Sequence, residues 1–233
     1  MNLHRTGKSP EWATVPHEER NIWQKTAAKT HSVVTPANAV SLIGLGIVGS
    51  GLKDIADGNT GRGIAKIGGG RLLDVVDGMV AHRTKTKSPT GEAVDVVVDK
   101  IEAAAALPIL TLKGILPPAV AGSFLAQHLA NTLATAAAKR RGNEIHPSKE
   151  GKWNTAGQWG AISLYGLSAA ARNAELNGTA RRLELAGHLT TVVTTYLGAS
   201  ALVGYIKDAQ GLNSESVQPQ TNQPETLQQV VIK

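Results

Sequence analysis

Four stretches of the chain, residues 30–52, 114–138, 153–171 and 185–206, contain no Asp, Glu, Lys or Arg and consist largely of Ala, Gly, Leu, Val and Thr. Their lengths approach or reach the roughly 20 residues that a helix needs to cross a bilayer. Small residues dominate them, as they do where transmembrane helices approach one another closely. Two further apolar stretches, near residues 63–83 and 91–112, carry carboxylates at helical spacing. Breakers separate these segments: Asp57-Gly58-Asn59, Lys87-Ser88-Pro89, Pro117-Pro118, Gly142-Asn143 and Asn177-Gly178. The pattern predicts an all-α polytopic membrane bundle of six transmembrane helices, over residues 36–52, 63–83, 91–112, 118–139, 152–171 and 182–206.

The ends differ from this middle. Residues 1–34 read as a polar arm in which Pro10 and Pro16 favour turns. It closes with an amphipathic helix near residues 18–29, with Trp23 as its apolar anchor, suited either to solvent or to a membrane interface. Residues 35–207 form the membrane domain, and residues 208–233, rich in Gln, Asn, Ser and Pro, read as a disordered tail. The first residues lack an apolar core, so no signal peptide is expected. A mean hydropathy of −0.10 would by itself suit a water-soluble protein, but the polar ends dilute an apolar middle.

Charge adds a direction. The chain of 233 residues is long enough for one sizeable domain and shows no internal repeat. It carries a net charge of +6, which suits an anionic partner such as nucleic acid, phospholipid or a phosphorylated substrate. With no cysteine, disulfide and thiolate chemistry are excluded. Arg83, Lys85 and Lys87 fall between the second and third predicted spans, and Lys139, Arg140, Arg141, Lys149 and Lys152 between the fourth and fifth. By the positive-inside rule these, with the basic arm, place both termini in the cytoplasm, although Arg172, Arg181 and Arg182 fall on the other side.

The carboxylates are the costly feature. On a helical period Asp74, Asp77, Gly78 and Ala81 share one stripe, and Gly91, Asp95 and Asp99 share another. An ionisable residue at the centre of a bilayer costs about 2.5–3.5 kcal/mol on insertion scales, so four of them point to function. Facing stripes of like charge need cations between them, and hard divalent ions with oxygen ligands are the natural counter-charge. A magnesium or manganese site is the expectation. The alternative is structural: Asp74 or Asp95 pairing with Arg71 or Lys100 as glue between helices.

The full spacing, D-x2-D-G-x2-A-x9-G-x3-D-x3-D from Asp74 to Asp99, resembles the signature of the CDP-alcohol phosphatidyltransferase family. Seven fixed positions match a given starting point by chance less than about once in 10⁸ at ordinary residue frequencies. The resemblance covers about residues 35–206, with its identifying residues concentrated in 71–100. It implies transfer of a phosphatidyl or similar group from a CDP-alcohol, here CDP-diacylglycerol, to a second alcohol, with release of CMP. It also implies two divalent ions, Mg2+ or Mn2+, held by Asp74, Asp77, Asp95 and Asp99, with Asp99 as general base. Gly78, Ala81 and Gly91 would leave room for cytidine and its phosphates. The family usually has Arg directly after the Ala; here His82 stands there with Arg83 next, and either could supply the phosphate contact.

Acceptor signals are more local. The segment Gly151-Lys152-Trp153-Asn154-Thr155-Ala156-Gly157-Gln158 is similar to the G-K-x-x-T-x-x-Q segment of bacterial phosphatidylglycerophosphate synthases and their cardiolipin synthase relatives. Lys152 and Gln158 could hold glycerol 3-phosphate, or the segment is a helix start with a snorkelling lysine. Relatives often show N-x-x-T-x-x-R near the amino end, where this chain has Asn38, Ser41 and Gly44. Inositol phosphate or phosphatidylglycerol are alternative acceptors, and a catalytically weakened metal- or lipid-binding homologue is the alternative to an enzyme. Lys139, Arg140 and Arg141 are either a solvated cytoplasmic edge or an anion contact. The resemblance further implies a multi-pass cell-membrane protein with its site toward the cytoplasm, commonly a homodimer, and no nucleic-acid partner.

Gly44-Leu45-Gly46-Ile47-Val48-Gly49 is a literal G-x-G-x-x-G, the fingerprint of a dinucleotide-binding turn and hence of a soluble oxidoreductase. It lacks a good strand before it and an acid about 20 residues on, so helix packing is the expected role of these glycines. The same holds for Gly68-Gly69-Gly70. His128 and His188 read as satisfied interior histidines, and Asp54 and Asp57 as loop residues.

Overall fold

Side-chain caps set where the helices begin. The computed structural model describes residues 9–141 and 148–210, which contain seven α-helices and no strand: α1 (Ile22–Lys29), α2 (Pro36–Ala56), α3 (Thr60–Thr84), α4 (Pro89–Leu112), α5 (Pro118–Arg140), α6 (Lys149–Asn173) and α7 (Asn177–Gln210). The predicted tail from residue 211 onward, the Gly142-Asn143 break and residues 1–8 of the arm lie outside the described residues. Thr35 and Ser88 cap α2 and α4 by accepting from the Asn38 and Gly91 amides at 3.1 and 3.0 Å, each followed by a proline at the first helical position. Ser148 caps α6 in the same way through Gly151 at 3.0 Å.

The helices therefore fall where the pattern put them, with two differences. The predicted break at Asn177-Gly178 is the start of α7; the chain turns just before it, at Glu175, whose φ of 61° is left-handed. Asp54 lies inside α2 rather than in a loop, where its carboxylate meets Lys66 at 2.7 Å and Arg62 at 3.3 Å. Pro108 stands inside α4, which continues through it at the cost of one backbone bond.

A glycine seam joins α2 to α3, its most closely packed neighbour. Gly44 and Gly51 are two turns apart on α2, and Gly63 and Gly70 two turns apart on α3. A Cβ on Gly51 would stand 2.7 Å from the Gly63 carbonyl oxygen, and one on Gly70 2.8 Å from that of Gly44. The two backbones touch antiparallel, which only glycine allows. Gly46, Gly49, Gly68 and Gly69 face open space instead, so close packing uses Gly44 and Gly70 and leaves the rest of both glycine runs free. Because Gly44 to Gly49 lie mid-helix, the dinucleotide turn is excluded.

The apolar core occupies one end of the bundle. Val48, Leu52 and Ile55 of α2, Ile64 and Ile67 of α3, Leu107 and Leu110 of α4, Phe124 of α5 and Ile162 and Tyr165 of α6 pack together there. The carboxylates lie toward the other end, where α3 turns into α4. Many large apolar side chains point outward, among them Leu72 and Val75 of α3, Leu125, Leu129 and Leu133 of α5, and Leu189, Val192 and Tyr196 of α7. Among the described residues two helices, α2 and α7, are long and apolar enough to cross a membrane. Charges on α3 and α4, and the Gln, Asn, His, Ser and Thr content of α5 and α6, keep those helices below the same standard, so two of the six long helices expected to span qualify on composition.

The arm does more than precede the bundle. Glu11 donates its backbone N–H to the Lys87 carbonyl at 3.0 Å, and the Trp12 indole donates to Ser32 at 2.8 Å, tying the arm to the α3–α4 turn and to the start of α2. α1 carries a capping box between Asn21 and Gln24. Its Trp23 is exposed while Gln24 and Ala27 are buried, so the anchor residue faces away from the bundle.

Candidate active site

The stripes predicted on α3 and α4 face each other, and α2 closes the third side. The four aspartates meet as two pairs, each gathered by a different donor. Ser41, one turn after Asn38 on α2, donates its hydroxyl to Asp77, in a short bond, and lies 3.4 Å from Asp95. Asp77 is buried. Deeper in the bundle, Arg71 of α3 donates through Nη2 to Asp74 at 2.9 Å and through Nη1 to Asp99 at 2.7 Å. The same Nη1 reaches Glu102 of α4 at 2.6 Å, and Glu102 is only 3% exposed. The face of Trp159 from α6 covers the guanidinium, with Cζ 4.6 Å from the ring centroid.

The structural alternative for Arg71 is thus partly realised: it pairs with Asp74 within α3 and bridges to Asp99 on α4. Lys100 makes no ion pair among the described residues, and Asp95 takes a hydroxyl rather than a cation. Glu102 and Trp159 were missed by sequence reasoning, and Ser41, noted only at the Thr place of the N-x-x-T-x-x-R segment, was not expected to bridge the aspartates. Ser41 and Glu102 were within reach of it, since each lies three residues along the helix from a residue singled out, Asn38 and Asp99. Trp159 had no local signal.

Above the Ser41 pair opens a cavity of about 250 Å³. Its walls include seven of the expected positions: Asn38, Asp77, Gly78, Ala81, His82, Gly91 and Asp95. Gly78 has open space where a Cβ would stand, and a Cβ on Gly91 would lie 3.6 Å from the Asn38 side-chain oxygen. Asn38 itself is held by its amide donating to the Ser32 and Val33 carbonyls at 3.1 and 2.8 Å. The other expected substrate residues lie elsewhere. Arg83 lines a shallow recess with the arm residues Thr14, Glu19 and Gln24. Arg141 donates to the Ala209 carbonyl at 3.0 Å, and Arg140 and Lys152 are exposed.

Gln158 belongs to a second polar group between α5 and α6. Its amide donates to Gln127 at 3.2 Å and to Asn154 at 3.3 Å, and the buried Gln127 Nε2 and Asn131 Oδ1 have no hydrogen-bond partner among the described residues. His188, in contrast to its expected interior place, is exposed and shares a 2.8 Å hydrogen bond with Tyr165.

The donor set suits a hard divalent cation, because three carboxylates share one guanidinium and two more share a neutral hydroxyl, which leaves a large negative excess in partly buried surroundings. The arrangement is not closed on a point: among the described residues no three carboxylate or imidazole groups stand close enough to hold a metal ion. The guanidinium and the hydroxyl keep the aspartates two by two.

Comparison with known proteins gives the group a context. The family model for CDP-alcohol phosphatidyltransferase matches residues 34–197. No curated protein and no solved structure matches the chain. The match spans α2 to α6 and much of α7, and so includes both carboxylate pairs and the cavity. Members of this family are membrane proteins, generally dependent on a divalent metal, that transfer a phosphatidyl group from a CDP-alcohol to an alcohol in phospholipid synthesis.

Proposed function

Because the chain belongs to the CDP-alcohol phosphatidyltransferase family, we propose that it moves the phosphatidyl group of CDP-diacylglycerol to glycerol 3-phosphate and releases CMP. The carrying observation is the meeting of α3 and α4 through the shared partners of their aspartates, beside a cavity lined by Asn38, Gly78, Ala81 and Gly91.

In this reading the acceptor hydroxyl forms a new oxygen–phosphorus bond to the phosphatidyl phosphorus as the bond to CMP breaks. Asp99 takes the hydroxyl proton. Asp74, Asp77, Asp95 and Asp99 hold two divalent ions, Mg2+ or Mn2+, which when bound neutralise the pyrophosphate and polarise the phosphorus. His82, on the cavity wall, takes the phosphate contact that the family Arg makes, and Asn38, Gly78, Ala81 and Gly91 shape the cytidine end. Arg83, outside the cavity, is left to the nucleotide's approach, as are Arg140 and Arg141 to that of an anionic lipid. Gln158 serves the acceptor: the unpartnered Gln127 Nε2 beside it, and Asn131 Oδ1 one turn further along α5, are a ready donor and acceptor for a polyol. Lys152 at the start of the same helix attracts its phosphate.

The same reading takes residues 35–207 as a cell-membrane domain of six spans, with the site toward the cytoplasm, α1 at the interface, and a homodimer as the assembly. Support for it lies in the inverted surface, where Leu72 and Val192 are each 68% exposed while Asp77 and Glu102 are buried. Purified protein in detergent, given CDP-diacylglycerol and a panel of glycerol 3-phosphate, inositol phosphate and phosphatidylglycerol, should release CMP with the first acceptor and only with a divalent ion present. Release with another acceptor reassigns the substrate. Release with none makes the chain a metal- or lipid-binding homologue.

A further inference from the structure

We propose that Arg71 is a built-in counter-cation, which competes with a divalent ion for Asp74 and Asp99 and is retained by Glu102 when it gives them up. The proposal rests on the divalent-ion reading above and assigns a positioning role to Arg71 and Glu102, which lie outside the signature spacing. Three observations carry it. The guanidinium spans carboxylates of both α3 and α4, at 2.9 Å from Asp74 and 2.7 Å from Asp99, so it joins two of the groups assigned to the metal. Its charge is permanent, and its planar fork can hold several acceptors together. It also has holdings that do not depend on those aspartates: Glu102 at 2.6 Å, almost wholly buried, and the Trp159 face.

A buried carboxylate with no counter-ion is strongly unfavourable, and Glu102's ion pair among the described residues is with Arg71. Glu102 therefore keeps the guanidinium in place after Asp74 and Asp99 turn to an ion. The Ser41 pair has no ion pair among the described residues and offers its carboxylates at once. Competition explains why the aspartates lie two by two rather than grouped on one point.

The test is Mn2+ binding to the purified full chain in detergent, without nucleotide, followed by electron paramagnetic resonance. Arg71→Gln should bind Mn2+ more tightly than wild type, and Glu102→Gln more weakly, each by about tenfold, the scale of residues that orient metal ligands. The double variant decides how Glu102 acts. If it acts through Arg71, adding Glu102→Gln to Arg71→Gln changes affinity by less than twofold, whereas a merely local charge effect would weaken binding equally in both backgrounds. Arg71→Lys, which keeps the charge but not the fork, should fall between wild type and Arg71→Gln and serves if the glutamine variant does not fold. Weaker or unchanged binding in both Arg71 variants overturns the proposal, as does an equal effect of Glu102→Gln in both backgrounds. Absence of saturable binding in every variant and in wild type overturns the divalent-ion reading as well.

Discussion

The two halves of the carboxylate cluster solve one electrostatic problem in opposite ways. Around Arg71, three carboxylates share a guanidinium that is packed under Trp159, with Glu102 buried and Asp74 and Asp99 partly exposed. Around Ser41, two carboxylates share one neutral hydroxyl and open onto the cavity. A hydroxyl has a single proton to give, so Ser41 cannot serve Asp77 and Asp95 at once. Charge left uncompensated beside open space is where an external cation gains most. Charge already paired with a guanidinium has its counter-ion in place, and Glu102 and Trp159 hold that guanidinium where it is. One cluster thus contains a receptive half and a structural half, and the proposed base, Asp99, sits in the structural one.

The largest effect expected is on turnover. Asp99→Asn leaves Arg71 two other carboxylates, so the fold should persist while CMP release falls by about 10²–10⁴-fold, the usual contribution of a general base. Parallel measurement of turnover and of the melting temperature checks both halves of that statement. Undiminished release would remove Asp99 from the chemistry and leave it purely an Arg71 partner.

Next comes the receptive half. Ser41→Ala removes the donor between Asp77 and Asp95, and a hydrogen bond to a charged group is worth about 1.5–3 kcal/mol. The loss should appear in unfolding without divalent ion and shrink when Mg2+ is added, because the ion takes over the charge. An equal loss in both conditions would mean that Ser41 is structural and that the halves do not differ in the way described.

The distance between α2 and α3 sets whether Ser41 can reach Asp77 at all, and the glycine seam sets that distance. Gly70→Ala puts a Cβ against the Gly44 carbonyl and Val48, and should cost about 1–3 kcal/mol through overpacking. Gly69→Ala, one residue away and facing open space, should instead stabilise α3 by about 0.5–1 kcal/mol. Opposite signs at adjacent positions in a melting experiment would establish the seam, and equal signs would dissolve it.

Much of this was legible in the chain, and the limits have physical causes. Helices were readable because charge-free runs, proline at the first helical position and the caps Thr35 and Ser88 are all local signals. The misread boundary at Asn177 came from treating Asn-Gly as a breaker, when the turn was made by a left-handed Glu175 that no propensity favours. The aspartate stripes were readable from periodicity, as was Arg71 beside Asp74, and one further turn of α4 would have added Glu102 to Asp99. What periodicity cannot give is which stripe meets which. The placing of Trp159 over Arg71 depends on the packing of α6 against α3, and the use of Gly44 and Gly70 but not Gly46 or Gly69 depends on which side of a helix a neighbour happens to occupy.

The smallest effect probes the structural half directly. Trp159→Phe keeps an aromatic face over Arg71 but one of weaker attraction for a cation, and should cost about 0.5–1 kcal/mol. Its dependence on metal distinguishes the halves more sharply than its size. Arg71 remains beside Glu102 and Trp159 whether or not Asp74 and Asp99 have turned to an ion, so the cost should be the same with and without Mg2+. Ser41→Ala should show the opposite behaviour under the same pair of conditions. If instead the cost of Trp159→Phe vanished on adding Mg2+, the guanidinium would have left its aromatic seat with the aspartates. Arg71 would then belong to the receptive half, and the division between paired and open charge would fall at Glu102 rather than between the two donors.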